Sequence, residues 1–224
     1  MKGGSLFSSE TLLHAGPVPI GEDVVTTWGI MLVLAGLACL VRLRLATRPA
    51  RLQVALEAIV ATADREIREI TRREAAPLLP LVATLFVFIA TANLCGVLPG
   101  VHAPTAKIET PAALAAVVFG AVHVYGIRAL GVGAYLQGYL KPTPLLLPLN
   151  VLSELTRVFS LMVRLFGNMM SHELVIAIVL AMVGLLVPIP FMALGILIGL
   201  IQAYIFTVLA TVFIAAGLGA GEKG

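Results

Sequence analysis

The chain has 224 residues, of which 59% are hydrophobic and only 12% charged, and its formal net charge is +3. A soluble domain carries roughly 25% charged residues, so half that share, with a mean hydropathy of +1.03, points away from an ordinary soluble enzyme and toward a polytopic membrane protein. The small net charge is scattered and offers nucleic acid no basic surface, while 13 of the 27 charged side chains crowd between Arg42 and Glu74.

The first 20 residues read as a short polar tail. The first apolar run, Val24–Val41, follows Glu22 and Asp23 and ends against RLRLATR, so it is a retained spanning helix rather than a cleaved signal. From Arg51 to Glu74 the pattern changes. Leu52, Leu56, Ile59, Val60, Ala63, Ile67 and Ile70 keep helical spacing while Arg, Glu and Asp fill the other face, which predicts an amphipathic helix at the membrane surface or packed on another subunit. Further apolar runs follow at Leu78–Leu98, Ala112–Ile127, Leu145–Val187 and Phe191–Leu218. A vertical crossing needs about 20 residues, so the last two runs are too long. The expected fold is an all-α polytopic membrane protein, one domain over 1–224. It has about five membrane helices (24–41, 78–98, 112–127, 150–187 and 191–218) and one interfacial helix (51–74).

The final two runs form a long, strongly inclined hairpin closed by a tight turn at Pro188–Pro190. A helix over 150–187 would be about 57 Å long and must lean far from the normal to fit a core of roughly 30 Å. Eight Lys and Arg between Arg42 and Arg73, against Lys107 alone in the next loop and Arg128 and Lys141 in the one after, put the first and third loops in the cytoplasm. The amino terminus then lies outside and the carboxyl terminus inside. The lone cysteines, Cys39 and Cys95, form no disulfide framework and read as small hydrophobes facing a helix neighbour.

Between Pro142 and Gly221 only four formal charges occur, Glu154, Arg157, Arg164 and Glu173, all within 20 residues. A charge at the bilayer centre costs ~3 kcal/mol, so such groups mark an ion path or a buried pair. On a helical wheel Arg157, Ser160, Asn168, Ser171 and Ser153 fall within about 40° of Arg164 and form one stripe. Glu154 and His172 lie on its flank, and Glu173 about 180° away. No acid further along the helix can therefore neutralise Arg164 from its own stripe. Glu154 and Arg157 can pair at i, i+3. Asn168 suits either a channel or a helix–helix hydrogen bond. His123 reads as an inter-helix histidine, and Gly195 and Gly199 as small residues for close packing. SHELV lacks a second histidine four residues on and is no HExxH zinc site. GEKG is no phosphate loop, so neither metal, cofactor nor ATP is expected on this chain.

RLFGN at Arg164–Asn168, continued by MMSHE to Glu173, resembles the central motif of subunit a of bacterial F-type ATP synthases. PLNVLSELTRVFSLMVRLFGN at 148–168 is similar to that family's entry into its long inclined helix. NLCGVLPG at 93–100 resembles the NLxGxxP end of an early crossing, and LIQAYIFTVLATVFI at 200–214 the final helix. The resemblance implies an inner-membrane stator subunit facing a ring of c subunits, with peripheral-stalk b subunits and the other synthase subunits as partners in the lipid bilayer. It implies two offset aqueous half-channels, with Arg164 as the essential arginine, Glu173 as the channel glutamate, and Asn168 and Gln202 as the family's asparagine and glutamine. Ser171 and Glu154, beside the stripe, and His172 complete the half-channel candidates. Many bacterial members have glycine just before the channel glutamate and histidine in the last helix; here the two positions hold His172 and Gly195. An ion-coupled secondary transporter or a non-rotary channel is the alternative, although no inverted repeat is visible. A purely structural membrane anchor is a second alternative, one that would tolerate Arg164→Ala.

Overall fold

The computed structural model describes residues 11–15, 18–43, 51–72, 74, 76–96, 103–140, 144–183 and 188–219. Among the described residues seven α-helices succeed one another: α1 Glu22–Leu43, α2 Arg51–Thr71, α3 Leu79–Cys95, α4 Glu109–Leu130, α5 Val132–Leu140, α6 Leu147–Val183 and α7 Pro188–Gly219. α4, α6 and α7 are long and apolar enough to cross a membrane, and α1 and α3 contribute shorter apolar helices. The protein is an all-α polytopic membrane protein.

Three expectations are corrected. Where a polar tail was expected, Thr11–Ala15 pairs with Val18–Gly21 as an antiparallel two-stranded ribbon, with an irregularity between Thr11 and Leu13. Pro188–Pro190 is not the turn but the first turn of α7. Proline is tolerated there because the first helical N–H groups have no acceptor to lose. The connection at 184–187 lies outside the described residues. Third, α5 stands where a loop was expected. Its Tyr135, Leu136, Tyr139 and Leu140 carry the i, i+4 signal, but over only nine residues. The loop cations Arg44, Arg48, Arg73 and Lys141 and the end of the NLCGVLPG motif lie outside the described residues, as does the carboxyl terminus.

The core forms where α3, α6 and α7 pack together, under a short 3₁₀ turn at Pro104–Ala106 in the connection from α3 to α4. α6 contributes Leu161, Leu165 and Met169, each four residues from the next and all at most 4% exposed. α7 contributes Ala203, Phe206 and Ala210, at intervals of three and four residues. Such a stripe fixes the rotation of each helix about its axis. α6, with 37 residues, is about 55 Å long.

α2 is helical over Arg51–Thr71, as its spacing predicts. Ile67 is fully buried in a second cluster with Leu78 and Val82 of the α3 entry and Ile214 and Leu218 of α7. Its outer face carries the Asp64–Arg68 and Arg65–Glu69 pairs, which are exposed and add little stability. Arg72, with φ of 52°, ends the helix in the left-handed region, donating its N–H to the Arg68 carbonyl at 2.9 Å. We expect Ile67→Ala to cost about 2–3 kcal/mol and to speed tryptic cleavage at Arg65 and Arg68 at least tenfold in the detergent-solubilised protein. An unchanged cleavage rate would mean that this contact does not hold α2.

Of the two cysteines, Cys39 is exposed rather than turned to a neighbour, because α1 touches the bundle only sparsely; Cys95 is half-buried.

Candidate functional site

The buried stripe of α6 decides where its charges point. With Leu161, Leu165 and Met169 turned inward, Arg157, Ser160, Arg164, Asn168 and Ser171 are all exposed on a face about 100° further round the helix. Among the described residues Arg164 makes no ion pair and no hydrogen bond. The expected stripe is present, and its central guanidinium is directed away from its own bundle.

Glu154, on the flank of that stripe, and Glu173, on the far face, turn toward opposite ends of α4. Near α5, the Glu154 carboxylate accepts a short hydrogen bond from the Tyr139 hydroxyl. The Tyr139 and Tyr135 hydroxyls lie 2.9 Å apart. The Asn150 amide donates to the Tyr139 carbonyl at 2.9 Å and so ties α5 to the first turn of α6. Burial, reinforced by the bond to Glu154, raises the Tyr139 phenol above its ordinary value, which keeps it a donor at any physiological pH. His123 of α4 stands 3.9 Å from Glu154, but its Nδ1–H is donated to the Phe119 carbonyl of its own helix at 2.9 Å rather than across helices. Tyr135, Tyr139, Asn150 and Glu154 border a cavity of about 800 Å³ that also reaches Ser153 and Arg157. No Glu154–Arg157 ion pair forms among the described residues. Glu154 has turned to the tyrosine, and Arg157 lies over the Phe213 ring at 5.9 Å, a cation–π contact.

The second cluster lies under the connection between α3 and α4. The Glu173 carboxylate accepts the Ala103 N–H at 2.8 Å, across 70 residues of sequence. Beside it the His172 imidazole fills the space over Gly195. A Cβ at that glycine would lie 2.6 Å from Cε1 and 2.9 Å from Cδ2 of the ring. Gly199 gives the same room to Asn93, whose Nδ2 donates to the Gly199 carbonyl at 2.9 Å. The GxxxG pair therefore admits two polar side chains rather than a bare helix backbone. One turn back on α6, Asn168 Nδ2 donates to Gln202 Oε1 at 2.6 Å and links α6 to α7. The amide is thus a helix–helix bond as well as an exposed member of the Arg164 stripe. Gln202 is only 2% exposed, and its Nε2, like Nε2 of His172, is buried without a partner among the described residues.

The structure thus separates the expected residues into three groups. Arg164 and Ser171 face outward, Glu154 belongs to the α5 end, and His172, Glu173, Asn168 and Gln202 belong to the other end. Sequence reasoning missed Tyr139, Asn93 and Thr105. The first was legible only as a tyrosine pair at i, i+4. Asn93 stood inside a quoted motif without a partner, and nothing in the sequence singles out Thr105.

A family model described as ATP synthase A chain matches residues 24–215. The chain is 56% identical over 220 residues to ATP synthase subunit a 2 of Bradyrhizobium sp. strain BTAi1, covering 98% of this chain and 99% of that protein. It is 47% identical over 211 residues to ATP synthase subunit a 1 of Hahella chejuensis, covering 94% and 90% of the two. Identity is again 47%, over 221 residues, to ATP synthase subunit a 1 of Chlorobaculum parvum, covering 97% and 98%.

Proposed function

Since the chain belongs to the ATP synthase A chain family, as a proton-translocating membrane subunit of a bacterial F-type synthase, we propose that Arg164 forces each carboxylate of a passing c-ring to give up its proton. The chain is a multi-pass protein of the bacterial inner membrane, and its partners are other subunits of the synthase. In the finer reading these include the c-ring, against the exposed face of α6, and peripheral-stalk b subunits. Residues 1–224 act as one membrane domain, with the amino terminus outside and the carboxyl terminus in the cytoplasm.

One observation carries the reading. Arg164 is exposed on a helix long and apolar enough to cross a membrane, without a partner of its own among the described residues, and the two acids of that helix turn toward opposite ends of α4. An opposite charge within several ångströms favours the ionised form of a carboxyl group. A ring carboxylic acid nearing Arg164 therefore releases its proton into the Glu154 cavity on the cytoplasmic side. Once past Arg164 the carboxylate regains a proton delivered along Glu173, His172, Asn168 and Gln202 from the outside. The buried orphan nitrogens of His172 and Gln202 support a hydrated path there, since buried polar groups otherwise find partners. A guanidinium never deprotonates, so Arg164 cannot itself pass protons between the two paths. Each crossing supplies about 2.3 kcal/mol per 100 mV.

The test is passive proton uptake into vesicles bearing the membrane sector, driven by a potassium-diffusion potential. Uptake is expected with this chain present and lost when it is omitted. Equal uptake without it, or ion transport by the chain alone, would sink the proposal.

A further inference from the structure

We propose that Asn93 and Thr105 are positioning residues for Glu173. They clamp the outer connection to α3 and α7 so that the Ala103 N–H is presented to the Glu173 carboxylate. The inference rests on the reading of Glu173 as a proton-handling group and adds to it the device that holds that group in place.

The clamp is a continuous chain of hydrogen bonds. Thr105 Oγ1 donates to Asn93 Oδ1 at 2.7 Å, and Asn93 Nδ2 donates to the Gly199 carbonyl at 2.9 Å. Thr105 is fully buried and Asn93 is 4% exposed, so neither exchanges these partners for bulk water. One amide thus joins three pieces of backbone: the end of α3, the 3₁₀ turn, and α7 at a position more than a hundred residues away. Two residues before Thr105, Ala103 has φ of −65° and ψ of 123°. This extended conformation leaves its N–H free of the turn's own bonding, while its carbonyl accepts from Ala106 N–H at 2.9 Å and closes the turn. The Ala103 N–H is spent on Glu173 Oε1 instead, at 2.8 Å.

Two glycines make the seat possible. A Cβ at Gly199 would meet Asn93 Cβ at 3.0 Å, and one at Gly96 would meet the Ala103 backbone at 3.2 Å. The connection can sit this close to the end of α3, and Asn93 this close to α7, only because both positions lack a side chain. Glu173 stands one turn beyond Met169 in the row of Leu161, Leu165 and Met169, and its carboxylate reaches the connection at Ala103. The Ala103 N–H thus helps to orient that carboxylate, and Thr105 and Asn93 act through it.

The experiment compares Thr105→Val, which keeps the β-branched shape and removes the donor, with Thr105→Ser, which keeps the hydroxyl. Both are placed in the whole synthase in membrane vesicles. Proton-driven ATP synthesis is expected to fall about tenfold in Thr105→Val at an unchanged amount of assembled complex, and Thr105→Ser restores most of it. Since the residue acts through Glu173, Thr105→Val adds less than about twofold on top of Glu173→Asp, a non-additivity that a general loss of packing does not produce. Equal rates in the valine and serine variants overturn the proposal, as does a full tenfold loss on the Glu173→Asp background. Arg164→Ala, run in parallel, separates the two levels. A parent rate there removes the proton-channel reading itself. Loss there, beside a full rate in Thr105→Val, removes only the clamp.

Discussion

Arg164→Ala abolishes proton-driven ATP synthesis, lowering the rate more than about a hundredfold, while the amount of assembled complex stays within about twofold of the parent. The magnitude follows from Coulomb's law. Two unit charges about 4 Å apart interact by about 4 kcal/mol at an effective dielectric of 20. That corresponds to roughly a thousandfold in the ionised fraction of a ring carboxyl group. Without Arg164 the acid keeps its proton and carries it back past the stator, so rotation and translocation uncouple. Assembly survives because Arg164 is exposed and bonds to nothing among the described residues, while the stripe of Leu161, Leu165 and Met169 holds α6 by a different face. Arg164→Lys keeps the charge on a compact ammonium that can lose its proton, and we expect it to fall at least tenfold short. Synthesis above about a tenth of the parent rate in Arg164→Ala would return the chain to the class of structural anchors.

Gly195→His is the second large effect. At that position the imidazole of His172 already occupies the volume a side chain would take, with ring carbons 2.6 and 2.9 Å from a Cβ. Neither partner can retreat easily. Gly195 is buried, and His172 Nε2 is shut in between α6 and α7. Overpacking of this kind costs about 1–3 kcal/mol and pushes helices apart. Here it also displaces His172, Asn168 and Gln202 from register, so coupled synthesis should drop at least tenfold. The double change His172→Gly with Gly195→His conserves volume and returns one imidazole to the same gap from the opposite helix. It should recover to within about threefold of the parent. If Gly195→His alone behaved as the parent, the two positions would not share a space. The contact offers one gap that a ring from either helix could fill, which gives a physical reason for the exchange of histidine and glycine that the resemblance implies.

Helical periodicity was the most legible part of this protein. The wheel placed Arg157, Ser160, Asn168 and Ser171 beside Arg164, and all of them are exposed on one side of α6. It placed Glu173 opposite, and that side chain is half-buried and bonded to the connection between α3 and α4. Glu154 and His172, expected on the flank, each meet a neighbouring helix, α5 through Tyr139 and α7 at Gly195. The amphipathic pattern of α2 likewise identified Ile67 as an inward residue.

What periodicity states is a direction around one axis, set by 3.6 residues per turn and by which positions are apolar. From this the chain alone determined that it lives in a membrane, where its long helices lie to within a few residues, and that Arg164 has no acid on its own face. It could not determine which groups meet across helices, because such a meeting depends on the crossing of elements far apart in sequence. Asn93 finds Gly199 across 106 residues, and Glu173 finds Ala103 across 70. Only the packed bundle assigned Glu154 to Tyr139 rather than to Arg157, gave His172 the space above Gly195, and left Arg164 outside. The energy of each contact lies in desolvated atoms a few ångströms apart, and a single helix brings none of those partners together.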